Sequence, residues 1–146
     1  MFELDARLQN DTLTLGAFPL SMVLLSKDAN YPWCILAPQR DNIREIHQLN
    51  SSDQQQLLKE SCCLAQTMEG LFHPIKMNVA ALGNIVPQLH LRHIARVEED
   101  AAWPKPIWGE GPAKDYEISV LEDRVDKLQQ ALSRADLMFE ASMLRA

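Results

Sequence analysis

The sequence predicts an α+β fold: a mainly antiparallel sheet of about five strands with a core helix packed on it and a long amphipathic helix at the C-terminal end. Three observations predict it. Short apolar runs bounded by turn residues fill the first quarter of the chain, a segment of helical periodicity follows, and two extended segments then flank a glycine ahead of a last helical pattern.

Each element follows from its residues. Thr12-Leu13-Thr14-Leu15-Gly16 alternates and reads as an edge strand. Residues 21–26 (Ser-Met-Val-Leu-Leu-Ser) and 33–37 (Trp-Cys-Ile-Leu-Ala) read as two buried strands, joined by turn chemistry from Lys27 to Pro32 and closed by Pro38. Over residues 52–72, Leu57, Leu64, Met68 and Leu71 share one helical stripe with Cys63 beside them. Ser52 and Gln55 have the spacing of a capping box, and Pro74 ends the helix. Residues 76–82 and 86–96 read as a hairpin turning at Gly83-Asn84. Pro104, Pro106, Gly109, Gly111 and Pro112 break any regular element over 101–112, so that segment is a loop anchored by Trp103 and Trp108. From Glu117 onward Ile118, Leu121, Val125, Leu128, Leu132, Ala135 and Phe139 recur in steps of three and four, which predicts one long amphipathic helix.

Composition bounds the function. A chain of 146 residues with 47% hydrophobic and 23% charged residues is one folded, soluble domain. The net charge of -6 opposes polyanions and anionic lipid, so nucleic acid and membrane surfaces are not expected partners. That acidity is uneven: residues 1–96 hold 9 acidic and 8 basic side chains, whereas residues 97–146 hold 11 and 6. Cys34, Cys62 and Cys63 are odd in number, two of them adjacent, which indicates no disulfide framework. With no apolar stretch of signal-peptide or membrane-spanning length, a reducing cytoplasm is the expected compartment. No cysteine or histidine pair has zinc-finger spacing and no Walker or dinucleotide-binding glycine motif is present. The sequence therefore calls for no cofactor and no structural metal, and leaves a divalent cation accompanying a ligand as an open alternative.

Chemistry concentrates in residues 86–96. Strand alternation puts Gln88, His90, Arg92 and Ile94 on one face, and Leu89, Leu91, His93 and Ala95 on the other. One row thus holds an amide, an imidazole and a guanidinium, with the bare backbone of Gly83-Asn84 at its entrance. Neutral imidazole is a nucleophile toward phosphorus near pH 7, Arg92 is suited to charge on phosphate oxygens, and Gln88 can donate to the same group. The bland alternative is a solvated strand face with an incidental histidine. Alternation makes His93 a core or interface residue, while His47 and His73, near helix boundaries, are expected to be capping or solvated.

This segment resembles the signature of the histidine triad (HIT) superfamily of nucleotide hydrolases and transferases, in which three histidines alternate with apolar residues. Here the frame falls on Gln88, His90 and Arg92, so only the middle histidine is kept. The resemblance extends through residues 28–38, the central helix, residues 76–84 and the block Asp100-Ala101-Ala102-Trp103-Pro104-Lys105-Pro106-Ile107-Trp108-Gly109, which is similar to a bacterial branch with Gln at the first triad position. It implies a HIT-like nucleotide-binding domain over residues 1–112 and a helical extension over 113–146, packed on the same domain or at a dimer interface. It also implies a small-molecule nucleotide as partner and a homodimer. His90 would be the nucleophile that forms a nucleotidyl-imidazole intermediate, its other ring nitrogen held by a main-chain carbonyl near the third triad position. Gln88 and Arg92 would stand where histidines contact scissile phosphate and leaving group, neither able to shuttle a proton near neutrality. Asn78 resembles the family's asparagine near ribose or phosphate, and Asn84 the polar turn residue beside the α-phosphate, with Gly83 preceding it. The expected activity is hydrolysis or nucleotidyl transfer on a phosphate ester, anhydride or phosphoramidate, such as a dinucleoside polyphosphate. The alternative is a nucleotide-binding or regulatory module that lost catalysis with its two outer histidines.

Overall fold

The two apolar runs of the first quarter pair directly. In the computed structural model, which describes residues 1–143, β2 (Ser21–Ser26) and β3 (Trp33–Pro38) are antiparallel, in register from Ser21 opposite Pro38 to Leu25 opposite Cys34. Before them come a short helix α1 (Ala6–Asp11) and strand β1 (Thr12–Ala17), and after them a single 3₁₀ turn (Ile46–Gln48) and helix α2 (Ser51–Phe72). Strands β4 (Lys76–Ala80) and β5 (Leu91–Arg96), helix α3 (Ile118–Ser133) and the two-residue strand β6 (Glu140–Ala141) complete the chain. The sheet has six strands in the order β4-β5-β3-β2-β1-β6, all pairings antiparallel. The expected α+β class is what the structure shows.

Several local expectations are corrected. The N-cap of α2 is Asn50, whose side chain accepts from the Asp53 N–H, rather than Ser52 with Gln55. Asn before a helix satisfies one of its free first-turn donors as well as Ser does. Strands β4 and β5 do pair, from Lys76 opposite Arg96 to Ala80 opposite Arg92, but the second strand starts at Leu91 rather than residue 86. Residues 81–90 form one long loop instead of a tight glycine turn, because Pro87 has no N–H to give a ladder. β1 is not an outermost strand, since β6 pairs with its end at Gly16 and Ala17. A side chain at Gly16 would meet the Glu140 carbonyl and the Phe139 ring, so the glycine is what lets that segment close in. The last helix stops at Ser133, and Phe139 leaves the helical stripe to pack edge-on against Phe18, ring centroids 5.6 Å apart.

The two faces of the sheet are covered differently. Leu57, Leu64 and Met68 of α2, together with Val125, Leu128 and Leu132 of α3, share one buried cluster with Val23, Leu25, Cys34, Leu36, Leu91 and Ala95. Removing the side chain of Leu64, fully buried there, costs roughly 2–5 kcal/mol. On the other face Leu4 and Leu8 cover Leu24, Ile35 and Ala37 at one end. At the other end Ala102 and Ile107 of the proline-rich loop cover Tyr31 and Ile94, and Trp33 packs against both groups.

Candidate functional site

His90 and Arg92 lie where the N-terminal segment and the proline-rich loop meet. His90 precedes β5 and is 2% exposed. Its Nδ1 stands 2.7 Å from the Gln88 carbonyl oxygen, which can only accept, so Nδ1 carries the proton. Nε2 is then a bare lone pair, and it is buried with no hydrogen-bond partner among the described residues. Burial pushes the imidazole pKa down and Arg92 adds to that, against the Gln88 carbonyl and the carboxylate of Asp5, which favour the cation. The structure thus favours neutral His90, with its free nitrogen buried. The orienting carbonyl belongs to the first triad position, not to a residue near the third as expected.

Arg92 is fixed by aromatic rings. Its guanidinium carbon lies 5.6 Å from the ring centroid of Trp33 and 5.7 Å from that of Trp108, a cation held between two π faces. Burial lowers its pKa from the ordinary value. Arg92 Nε and the Nε1 of Trp33 and of Trp108, the two rings that flank it, are buried without a partner among the described residues, as is the hydroxyl of Tyr31, whose ring lies beside Arg96.

Trp108 is delivered by a buried clamp four residues along the same strand. Arg96, 1% exposed, makes a two-pronged pair with Asp100 at 2.7 and 3.0 Å and donates to Asn78 Oδ1 and to the Lys105 carbonyl. Asp100 in turn accepts from the N–H groups of Ala102 and Trp103, which folds the loop, including the cis peptide Trp103-Pro104, over Tyr31 and Ile94.

The remaining expected site residues fare unevenly. Both ends of the Gln88 amide are engaged: Oε1 accepts from the Asp5 N–H and Nε2 donates one of its two N–H groups to the Glu3 carbonyl, each at 2.9 Å. Gln88 is therefore a strap for the N-terminal segment, which leaves one of its N–H donors for any other acceptor. Asn78 sits on the face of Arg92 and Ile94 with its oxygen taken by Arg96. Gly83 and Asn84 lie in the 81–90 loop, Asn84 exposed, and no described contact joins them to His90. A Cβ at Gly83 would come within 2.9 Å of the Val86 carbonyl, which accounts for the glycine without a ligand.

His93 faces the other way, fully buried under α2. Its Nδ1–H donates to the Leu91 carbonyl and its Nε2 accepts from the Ser61 hydroxyl at 2.7 Å, and burial depresses its pKa to about 4. His73 caps the end of α2 in the left-handed region, and His47 lies exposed in the 3₁₀ turn. Among the described residues no group of three or more His, Cys, Asp and Glu side chains is placed to hold a metal ion.

Sequence reasoning missed Asp5, Arg7 and Trp33. Asp5 pairs with Arg7, which holds its carboxyl below the usual range, and Arg7 also donates to the Ile85 carbonyl. The only local signal was the Asp5-to-Arg7 spacing at the start of a helix, which reads as ordinary capping.

An antiparallel sheet that sets a buried neutral histidine, oriented by backbone, beside an arginine on the face opposite α2 and α3 defines a protein of the histidine triad type. Comparison agrees. A family model described as the HIT domain matches residues 7–99, and the chain belongs to that family. Among solved structures, a histidine triad protein from Marinobacter aquaeolei is similar at 48% identity and a TM-score of 0.89, covering 92% of this chain and 98% of its own. One from Bradyrhizobium japonicum is similar at 40% identity and 0.88, covering 90% and 98%. One from Sinorhizobium meliloti follows at 37% and 0.87, covering 90% and 97%. No curated protein sequence matches the chain.

Proposed function

We propose that this protein is a nucleotide hydrolase or nucleotidyl transferase that works through a covalent nucleotidyl intermediate on His90. The observation that carries the reading is the Nε2 atom of His90, a buried lone pair with no partner on a ring whose other nitrogen is tied to the Gln88 carbonyl. Attack by Nε2 on the phosphorus of a nucleoside phosphate forms an N–P bond as the leaving group departs. Water or another acceptor then breaks that bond and the electron pair returns to Nε2. Arg92 supplies positive charge for the phosphoryl oxygens, and Asn78, Gly83 and Asn84 are the proposed further contacts to nucleotide and phosphate. No cofactor takes part in these steps, and a divalent cation would enter only with the substrate's phosphates.

The test is single-turnover incubation with a nucleotide labelled at the α-phosphate, followed by denaturing separation from free nucleotide at alkaline pH, where an N–P bond to imidazole survives. Label on the wild-type chain and none on His90→Ala is the expected result; equal nucleotide release by both proteins overturns the mechanism. The engaged Gln88 amide favours a second reading, a nucleotide-binding or regulatory module. That reading predicts measurable nucleotide affinity with no turnover and no gain from Arg92→His.

The assembly we propose is a homodimer through the free edge of β4, beside which Ile46, Leu58, Ile75 and Val79 are exposed. Sedimentation should give a dimer, and Val79→Lys should give a monomer. The three cysteines are all free, which fits the reducing cytoplasm we propose for it.

A further inference from the structure

The nitrogen assigned to the attack is closed off. His90 is 2% exposed and its Nε2 is buried, whereas attack needs a phosphorus within about 3.5 Å of that atom. A phosphoryl group has no route to Nε2 in this conformation, so one wall of the site must move before a ligand arrives.

The walls are held very differently. Beneath the site β5 pairs with β3 on one side and β4 on the other, and Leu89, next to His90, is buried in the cluster of α2 and α3 with its N–H bonded to the Ile43 carbonyl. On the Arg92 side the proline-rich loop is pinned by the Arg96–Asp100 pair, both side chains almost fully buried. The third wall is residues 2–8. Its polar ties are exposed or only partly buried: the Asp5 N–H to Gln88 Oε1, Gln88 Nε2 to the Glu3 carbonyl, and Arg7 to the Ile85 carbonyl. Leu4 and Leu8 are its apolar anchors, packed with Val86. Bonds near the surface exchange readily for water, and a six-residue helix such as α1 has little stability of its own, so this wall opens at the lowest cost. The far end of α1 stays in place, because the Lys27 ammonium donates to the Asn10 carbonyl and the Lys27 N–H to that of Asp11. Charge acts in the same direction. The Asp5 carboxylate is close enough to favour the His90 cation, and an anion there repels an incoming phosphate, so an anionic ligand favours the state in which Asp5 has swung away.

We propose that residues 2–8 are a flap that gates access to His90, latched by the Gln88 amide and hinged where Lys27 holds the end of α1, and that an anionic phosphate ligand binds the open state. The ligand half of this inference rests on His90 as nucleophile; the gate rests on the packing around Nε2. Gln88 then serves the site twice, its carbonyl orienting the imidazole and its side chain holding the flap.

The experiment treats the full chain with diethyl pyrocarbonate above pH 7. A free imidazole nitrogen attacks the carbonyl carbon of this small reagent, an N–C bond forms and ethyl carbonate leaves. Peptide mass spectrometry reads each of the four histidines. His47 and His73 are exposed and His93 is bonded at both nitrogens, which makes them the fast and the protected references. In wild type His90 should react more slowly than His47 by a factor of about ten or more. Arg7→Ala and Leu4→Ala should each raise the His90 rate about tenfold with His93 still protected, because losing a tie or an anchor shifts a local opening equilibrium. His90 reacting as fast as His47 in wild type overturns the gate. Acceleration in Trp108→Ala and in neither flap variant also overturns it, by placing the moving wall on the proline-rich loop. Trapping of α-phosphate label on the same proteins separates this inference from the one it rests on. Labelling of His90 that speeds up with the flap variants supports both, and labelling that ignores them overturns the flap as the ligand's route. Reagent rates that follow the flap with no label on His90 remove the nucleophile assignment and with it the ligand, while the gate stands.

Discussion

The Nδ1–H of His90 donates to the main-chain carbonyl of Gln88 across 2.7 Å, two residues back along the chain. A carbonyl is an acceptor whatever side chain it carries, so the tautomer of His90 does not depend on the residues standing at positions 88 and 92. A chain that keeps one of three expected histidines can therefore keep a correctly presented nucleophile.

The first prediction concerns pH. In the proposed mechanism His90 attacks only as the neutral base, and its pKa is lowered from 6.5, first by burial and then by Arg92. The rate of His90 labelling should rise with pH through a midpoint below 6.5 and stay flat through neutrality. Arg92→Gln removes a lowering charge and should move that midpoint up. A wild-type midpoint at or above 6.5 contradicts the assignment.

His93 gives a stability prediction. Its folded pKa of about 4 lies below the unfolded value near 6.5, so the unfolded chain binds the extra proton first. The contribution to stability is complete above pH 6.5 and disappears as pH falls toward 4, a loss of roughly 3 kcal/mol by linkage. Urea unfolding at pH 7 and pH 4.5 should show most of it, and His93→Gln should flatten the slope. An unchanged slope in that variant would place the titrating group elsewhere.

Gln88 ties residues 3 and 5 to the 81–90 loop through both ends of its amide. Gln88→Glu keeps the acceptor for the Asp5 N–H but sets an oxygen against the Glu3 carbonyl. It should cost roughly 1–3 kcal/mol. Amide exchange at Asp5 should accelerate in the variant, and protection equal to wild type would mean the strap is held by other contacts.

Asp100 neutralises Arg96 where both are almost fully buried. Asp100→Asn leaves that guanidinium short of charge and should destabilise by about 3 kcal/mol. Because Asp100 also folds the loop that carries Trp108, tryptophan emission should change in the native state before unfolding begins. Native emission identical to wild type would separate the clamp from the position of Trp108.

Much was legible in the chain because it is local. The apolar runs at 21–26 and 33–37, the leucine stripe of α2 and the prolines of the 101–112 loop each report a property of neighbouring residues, and the structure has two strands, a helix and a loop there. Alternation put His93 on the face away from Arg92, where it lies. The errors came where distant chain decides. Helical spacing ran on to Phe139, but the ring of Phe18 and the open backbone of Gly16 draw the segment after Ser133 onto the sheet.

By itself, then, the sequence determined the central strands and the two long helices in kind, though not α1, β6 or the end of α3, together with the placing of a histidine between Gln88 and Arg92 and the family resemblance those residues carry. Only the tertiary structure decided what these side chains touch. Gln88 is claimed by a backbone group 83 residues away, and Arg92 is flanked by tryptophans from β3 and from the proline-rich loop. Periodicity encodes which way a side chain points along its own element. The partner it meets there depends on how the whole chain packs, because burial selects among all surfaces the fold brings together.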